Sequence, residues 1–146
     1  MKQNSRVKII IPFFLSLVFT AAAPTLTGKV VGVSDGDTIT ILVNKKQYKI
    51  RLHGIDTPER RQAFGTKAKQ FTSSMIFGDT VTVRTHGEDL YGRIIGEVVS
   101  DGRNLNRALV ASGLAWWYRK YAPGGYGPAE TGKTSTRRPG RFVGRF

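Results

Sequence analysis

The sequence contains no cysteine, so no disulfide supports this chain and its core must hold by burial alone. Histidine is almost as scarce: His53 and His86 are the only two. They lie far apart and show no ligand spacing, so they read as structural or surface residues. Long hydrophobic runs are also missing. The one apolar stretch, IIIPFFLSLVFT at 9–20, is interrupted by Pro12 and is short of the roughly 20 residues that span a bilayer. It follows Lys2, Arg6 and Lys8 and precedes Ala21-Ala22-Ala23, the basic, apolar and small-residue order of a secretory signal peptide. Residues 1–23 are therefore expected to be removed at the alanines, with an uncleaved anchor as the alternative. The expected location is secreted or periplasmic, with no stable membrane association after cleavage.

Acidic residues are few. Ten Asp+Glu stand against 23 Lys+Arg. Three of the basic residues and none of the acids fall in residues 1–23, which leaves a net charge of +10 on the other 123 residues. That length suits one domain with a single core and not two. The charge excess attracts polyanions, with nucleic acid ahead of anionic membrane or cell wall. A cationic protein acting on membranes would need an amphipathic basic helix, and none is present. Internal repeats are absent.

Strand patterns come first along the remaining chain. LTGKVVGV (26–33), DTITILV (37–43) and QYKIRLHG (47–54) are rich in β-branched residues, and Tyr48, Ile50 and Leu52 alternate with charged neighbours as one buried face requires. Residues 44–46 form the loop between the second and third. A helix is predicted from about Glu59 to Phe77, with Phe64, Ala68, Phe71 and Met75 as its apolar stripe and Gly78 as its stop. DTVTVRT (79–85) and RIIGEVV (93–99) restore the two-residue period. Asn104 caps a second helix that presents Leu105, Ala108 and Leu109 inward and ends at Gly113. Five short strands, with helices after the third and the fifth, predict an α+β domain: a five-stranded β-barrel of the OB type with packed helices. The domain is expected over 24–123. Residues 124–146, rich in Gly, Pro and Arg with Glu130 as the only acid, are expected to be a disordered basic tail.

Ser34-Asp35-Gly36-Asp37-Thr38 is explained as a tight hairpin, but a turn needs only the first aspartate. Asp37 is then free to bind a cation. Asp56 is the second such carboxylate, and a hairpin would bring it beside Asp37. Two carboxylates and a backbone carbonyl make a hard, oxygen-only site suited to calcium or magnesium. Thr57-Pro58-Glu59 reads as a helix start, with Thr57 as N-cap; Arg51 and Arg93 read as solvent-facing strand residues. Their combination carries chemistry. Hydrolysis of a phosphodiester needs a cation and hydrogen-bond donors on the phosphoryl oxygens and a base for the water. Asp37 and Asp56 could hold the cation, Arg51 and Arg93 could grip the oxygens, and Glu59 could orient or deprotonate the water. Among the aromatic residues after the second helix, Trp116 and Trp117 include at least one core residue, while Tyr118 and Tyr121 are the better candidates for stacking on bases.

SDGDTI, RLHGIDTPE, DLYGR and DGRNLNRALVASGLAWWY resemble, in order, the signature segments of the staphylococcal nuclease (thermonuclease) family over about residues 30–123. The resemblance implies an OB barrel with helices that cleaves DNA and RNA with one calcium ion, leaving 5′-hydroxyl and 3′-phosphate ends. It assigns Asp37 and Asp56 as calcium ligands, with Thr57 lending its carbonyl. Glu59 becomes the proposed general base, and Arg51 and Arg93 the arginines on the scissile phosphate. Tyr91 is placed in the nucleotide pocket. A monomer is expected. Family members continue past the Tyr-Ala-Pro of 121–123 with a third helix. The glycines and prolines that follow here exclude a long one, so the third C-terminal helix is expected to be missing and the scaffold to be marginal. The competing function is a non-catalytic nucleic-acid-binding OB module, which the charge and the barrel suit equally well.

Overall fold

The computed structural model describes residues 23–126. The chain forms β1 (Thr25–Asp35), β2 (Thr38–Val43), β3 (Lys46–Leu52), the short β4 (Ile55–Asp56), α1 (Gly65–Ile76), β5 (Thr80–Glu88), β6 (Ile94–Ser100), the short β7 (Arg103–Asn104), α2 (Leu105–Ala111) and β8 (Trp116–Trp117). The five long strands run in the order β3-β2-β1-β5-β6, and β3 pairs with β6 to close the sheet. That closing pair is parallel, matching Arg51 to Ile95, while the other four are antiparallel. The result is the expected closed five-stranded OB barrel with two helices, an α+β fold whose closure removes exposed strand edges.

Two local devices close the barrel. Register shifts in β1 between Val30 and Gly32 and between Val33 and Asp35 bend the strand. Ahead of these bulges β1 lies between two partners, and Lys29 pairs with both Leu42 of β2 and Thr80 of β5. The β2–β3 turn is tighter than the expected three residues. Asn44 and Lys45 both take positive φ, at 48° and 67°, and Val43 pairs directly with Lys46, a two-residue hairpin whose twist matches its strands. Ile39, Ile41, Ile50, Val83 and Val98 fill the interior, as their alternation along the strands predicts.

The first helix departs from expectation at its start. It begins at Gly65, not Glu59, and buries Gly65, Ala68, Thr72 and Ile76. Phe64, expected on the apolar stripe, is the residue before the helix, at φ 67° and 47% exposed. Phe71 and Met75 are only partly buried against the core. The physical reason lies at Thr57, whose hydroxyl donates to Asp37 and so caps no helix. The following residues instead fold back over the helix start. The second helix begins as predicted: the Asn104 side chain accepts from the Arg107 N–H at 3.0 Å. It ends at Ala111, followed by Gly113 at φ 72°.

Packing continues beyond Pro123, where the domain was expected to end. The Trp117 indole N–H donates to the Ala122 carbonyl at 2.9 Å. The chain then delivers Tyr126 into the core at 2% exposure. Gly54, at φ +66°, lets this arm lie close, since a Cβ there would sit 2.5 Å from that of Ala122. Burial, followed by the nearby Glu97 carboxylate, pushes the Tyr126 phenol well above its ordinary range. Truncating Tyr126 to alanine is expected to cost about 3–5 kcal/mol, as large-to-small aromatic changes in cores do, measured by urea unfolding. The expected signal peptide, the tail from residue 127 and the missing third helix lie outside the described residues. Among the described residues no helix is long and apolar enough to cross a membrane.

Candidate active site

Asp37, expected to open the second strand, lies instead in the turn just ahead of β2, which starts one residue later, and it is only 6% exposed. Helix α1 fixes that turn through the Thr72 hydroxyl, which donates to the Gly36 carbonyl at 2.6 Å. The Asp37 carbonyl accepts from the Leu52 N–H at 2.8 Å, tying the turn to β3. A buried carboxylate must be paired, and Asp37 is paired thoroughly. Its Oδ2 accepts from the Thr57 N–H at 2.8 Å and the Thr57 hydroxyl at 2.9 Å. Its Oδ1 accepts from the Thr38 hydroxyl at 3.0 Å. Arg51 Nη1 lies 2.6 Å from Oδ2 as an ion pair, off the axis that would make it a hydrogen bond.

Arg51 also reaches Asp56, to whose Oδ1 its Nη2 donates at 2.6 Å. Asp56 is held on β4 by antiparallel pairing with Trp116 of β8. The strands thus set one guanidinium between two carboxylates, a cluster of net charge −1. Asp37 Oδ2 is saturated, whereas Asp37 Oδ1 accepts one bond and Asp56 Oδ2, among the described residues, none. These open lone pairs offer oxygen donors alone, with Asp56 40% exposed to admit an ion. The donor set fits a hard divalent cation such as calcium.

Glu59 follows two residues after Thr57 on an exposed turn. Its N–H donates to Gln62 Oε1 at 2.9 Å, and its carbonyl accepts from the Gln62 N–H at 2.8 Å. The backbone is thereby fixed while the carboxylate faces solvent. Gly65 is essential to this arrangement, because a Cβ there would stand 1.9 Å from the Glu59 carbonyl oxygen. Gly65→Ala is expected to push the 59–63 turn aside with the helices retained by circular dichroism. Cleavage should fall by about 100-fold, the scale of a 1 Å misplacement.

Arg93 directly precedes β6, two residues before Ile95, the β6 partner of Arg51. It is held separately. Asp89 Oδ2 accepts from Arg93 Nε at 2.6 Å, and Oδ1 accepts from the Tyr91 and Arg93 N–H groups. Desolvation pushes the Asp89 carboxyl up, but these donors from Arg93 and Tyr91 outweigh it and hold the group below the usual carboxylate range. The guanidinium also lies 5.5 Å from the centre of the Tyr91 ring. The structure therefore joins Asp37, Arg51, Asp56 and Thr57 by direct contact and sets Glu59 on the adjoining turn. Arg93 and Tyr91 form a second group, and the exposed Tyr118 and Tyr121 pair edge to face at 6.3 Å. Asp89 was not singled out from sequence, because it is the turn between β5 and β6, and not a helical face, that brings it back to Arg93.

Of the two tryptophans, at least one of which was expected in the core, Trp117 packs partly buried against it and Trp116 does not. It is 50% exposed and, with Pro58 and Phe64, lines a groove of about 460 Å³ beside the Asp56–Glu59 turn. The two histidines are not independent of each other. Barrel closure brings His53 to β6, where its N–H donates to the Gly96 carbonyl at 2.8 Å. Its ring stacks on His86 of β5 with centroids 4.0 Å apart. Burial, then the neighbouring His86, hold His53 below the ordinary histidine range.

The staphylococcal nuclease homologue family model matches residues 49–132, more than half of the chain. Among curated relatives, an Escherichia coli protein named as an uncharacterized endonuclease is 44% identical over 95 residues, covering 64% of this chain and 62% of that protein. A Haemophilus influenzae protein of the same name is 38% identical, covering 74% and 64%. A Shigella flexneri micrococcal nuclease is also 38% identical, covering 72% and 66%. The chain thus spans less than two thirds of the length of each of these relatives. The match takes in Arg51, Asp56, Thr57, Glu59 and Arg93 together, and the chain belongs to the staphylococcal nuclease family.

Proposed function

We propose that this protein is a calcium-dependent nuclease that hydrolyses phosphodiester bonds of DNA and RNA to 5′-hydroxyl and 3′-phosphate ends. The observation that carries the reading is the Asp37–Arg51–Asp56 cluster, a guanidinium bridging two carboxylates next to the exposed carboxylate of Glu59. Calcium held by Asp37, Asp56 and the Thr57 carbonyl would neutralise charge on the phosphoryl oxygens. Arg51 keeps further N–H donors beyond the two aimed at the aspartates and offers them to a phosphate. Arg93, just ahead of the strand that pairs with β3, supplies a second fork, oriented by Asp89. Glu59 accepts the proton of the attacking water or holds that water in line.

The groove beside Pro58 suits an unpaired base, with Trp116 as the stacking surface. Trp116→Ala is expected to weaken binding of a short single-stranded oligonucleotide by about 1–3 kcal/mol, read by fluorescence anisotropy in a Glu59→Gln background that blocks cleavage. The basic leader followed by an apolar run supports export, and the protein acts as a monomer in this reading. The direct test is incubation of the full chain with denatured DNA and with RNA in calcium, followed by end-group analysis. Ends bearing 3′-phosphate are expected from both substrates. Binding without cleavage would favour a non-catalytic OB module, and 5′-phosphate ends would point to another chemistry.

A further inference from the structure

The chain has only two histidines and no cysteine, and the fold stacks both imidazoles at 4.0 Å beside a carboxylate. One ring nitrogen from each of His53 and His86 and an oxygen of Glu97 lie within 4.8 Å of one another. They come from the end of β3, from β5 and from β6, three neighbouring elements of the closed barrel, so backbone pairing fixes their spacing. Two imidazoles and one carboxylate differ in kind from the oxygen-only donors at Asp37 and Asp56. Imidazole selects zinc, nickel, copper or cobalt over calcium.

The surroundings orient the donors as metal sites require. Glu97 Oε2 accepts from Asn104 Nδ2 at 3.4 Å and faces Arg84 at 3.7 Å. This leaves Oε1 turned to His86 Nε2, 3.4 Å away. His53 Nδ1 lies 3.4 Å from the Tyr126 hydroxyl, which also accepts from the buried Asn106 amide at 3.4 Å. Asn106 in turn accepts from the Val98 N–H at 3.1 Å and donates to the His53 carbonyl at 3.0 Å. Among the described residues no hydrogen bond or ion pair joins this group to Asp37, Asp56 or Glu59. The stacked rings are nearly parallel, at 10°, so sharing an ion requires one ring to turn. His86 is the ring able to do so, being partly exposed, and the terminal torsion of histidine is soft.

We propose that His53, His86 and Glu97 form a second metal site, specific for a borderline divalent transition ion of the zinc class and separate from the oxygen-donor site. Three protein donors leave the fourth position of a tetrahedral ion to water. The ion ties β3, β5 and β6 together beneath Tyr126, so its binding raises the melting temperature.

Cobalt(II) tests the site, because its visible absorption reports tetrahedral nitrogen ligation and the chain has no other imidazole or thiolate. Titration of the full chain is expected to saturate at one equivalent with that spectrum, and zinc should displace the cobalt. His86→Ala and Glu97→Gln, checked for folding by circular dichroism, should each weaken binding by at least roughly tenfold, the lower end of what even an outer contact to a metal ligand costs. Asp37→Asn should titrate like wild type whether or not the protein cleaves DNA. A folded wild type giving no tetrahedral spectrum would overturn the proposal, as would a His86→Ala variant that binds like wild type.

Discussion

Glu59→Gln is expected to lower kcat by about 10²–10⁴, the usual contribution of a positioned general base. Folding should be untouched. The carboxylate is exposed, and the turn is held by the Glu59 backbone and Gln62, so a neutral isostere removes the base and nothing structural. KM should change little, because the group acts on water and not on the substrate. A variant that retains wild-type kcat with a raised KM would instead make Glu59 a binding residue.

Arg51→Lys is expected to cost about 10²–10³ in kcat/KM, the scale of losing a transition-state donor, and to lower the melting temperature as well. Lysine keeps the charge but is a point donor, whereas Arg51 spans Asp37 and Asp56 with two different nitrogens. A single ammonium cannot reproduce that planar bridge. Asp37 is buried, so the loosened partner leaves a poorly compensated charge. The two effects separate by experiment. Saturating calcium is expected to restore the melting temperature without restoring the rate, and recovery of both would reduce Arg51 to a structural role.

The strands and the second helix were legible because they rest on short-range pattern: β-branched alternation in β2 and β3, the Asn104 cap and the Gly113 stop; the barrel followed from the number and order of these elements. Asp37, Asp56, Arg51 and Glu59 could be named because each sits at a strand end or turn beside its motif. The start of α1 was not legible. Thr57 has the chemistry of an N-cap, and only the tertiary bond to Asp37 diverts it. The Gly65 contact with Glu59 is likewise invisible in one dimension. His53 and His86 failed as a pair for the same reason, since barrel closure and not spacing brings them together. Tyr126 was hidden in another way: its glycine- and proline-rich surroundings signal a tail, while the side chain alone is buried.

The carboxylate pair, working with a hard cation, is the centre of this account. Its most direct test is digestion of denatured DNA by the full chain in calcium, with chelator added to one portion and an Asp37→Asn variant in parallel. Cleavage that is abolished by the chelator and falls at least about tenfold in the variant, with wild-type secondary structure by circular dichroism, is the predicted result. Cleavage indifferent to both chelator and Asp37 would contradict it.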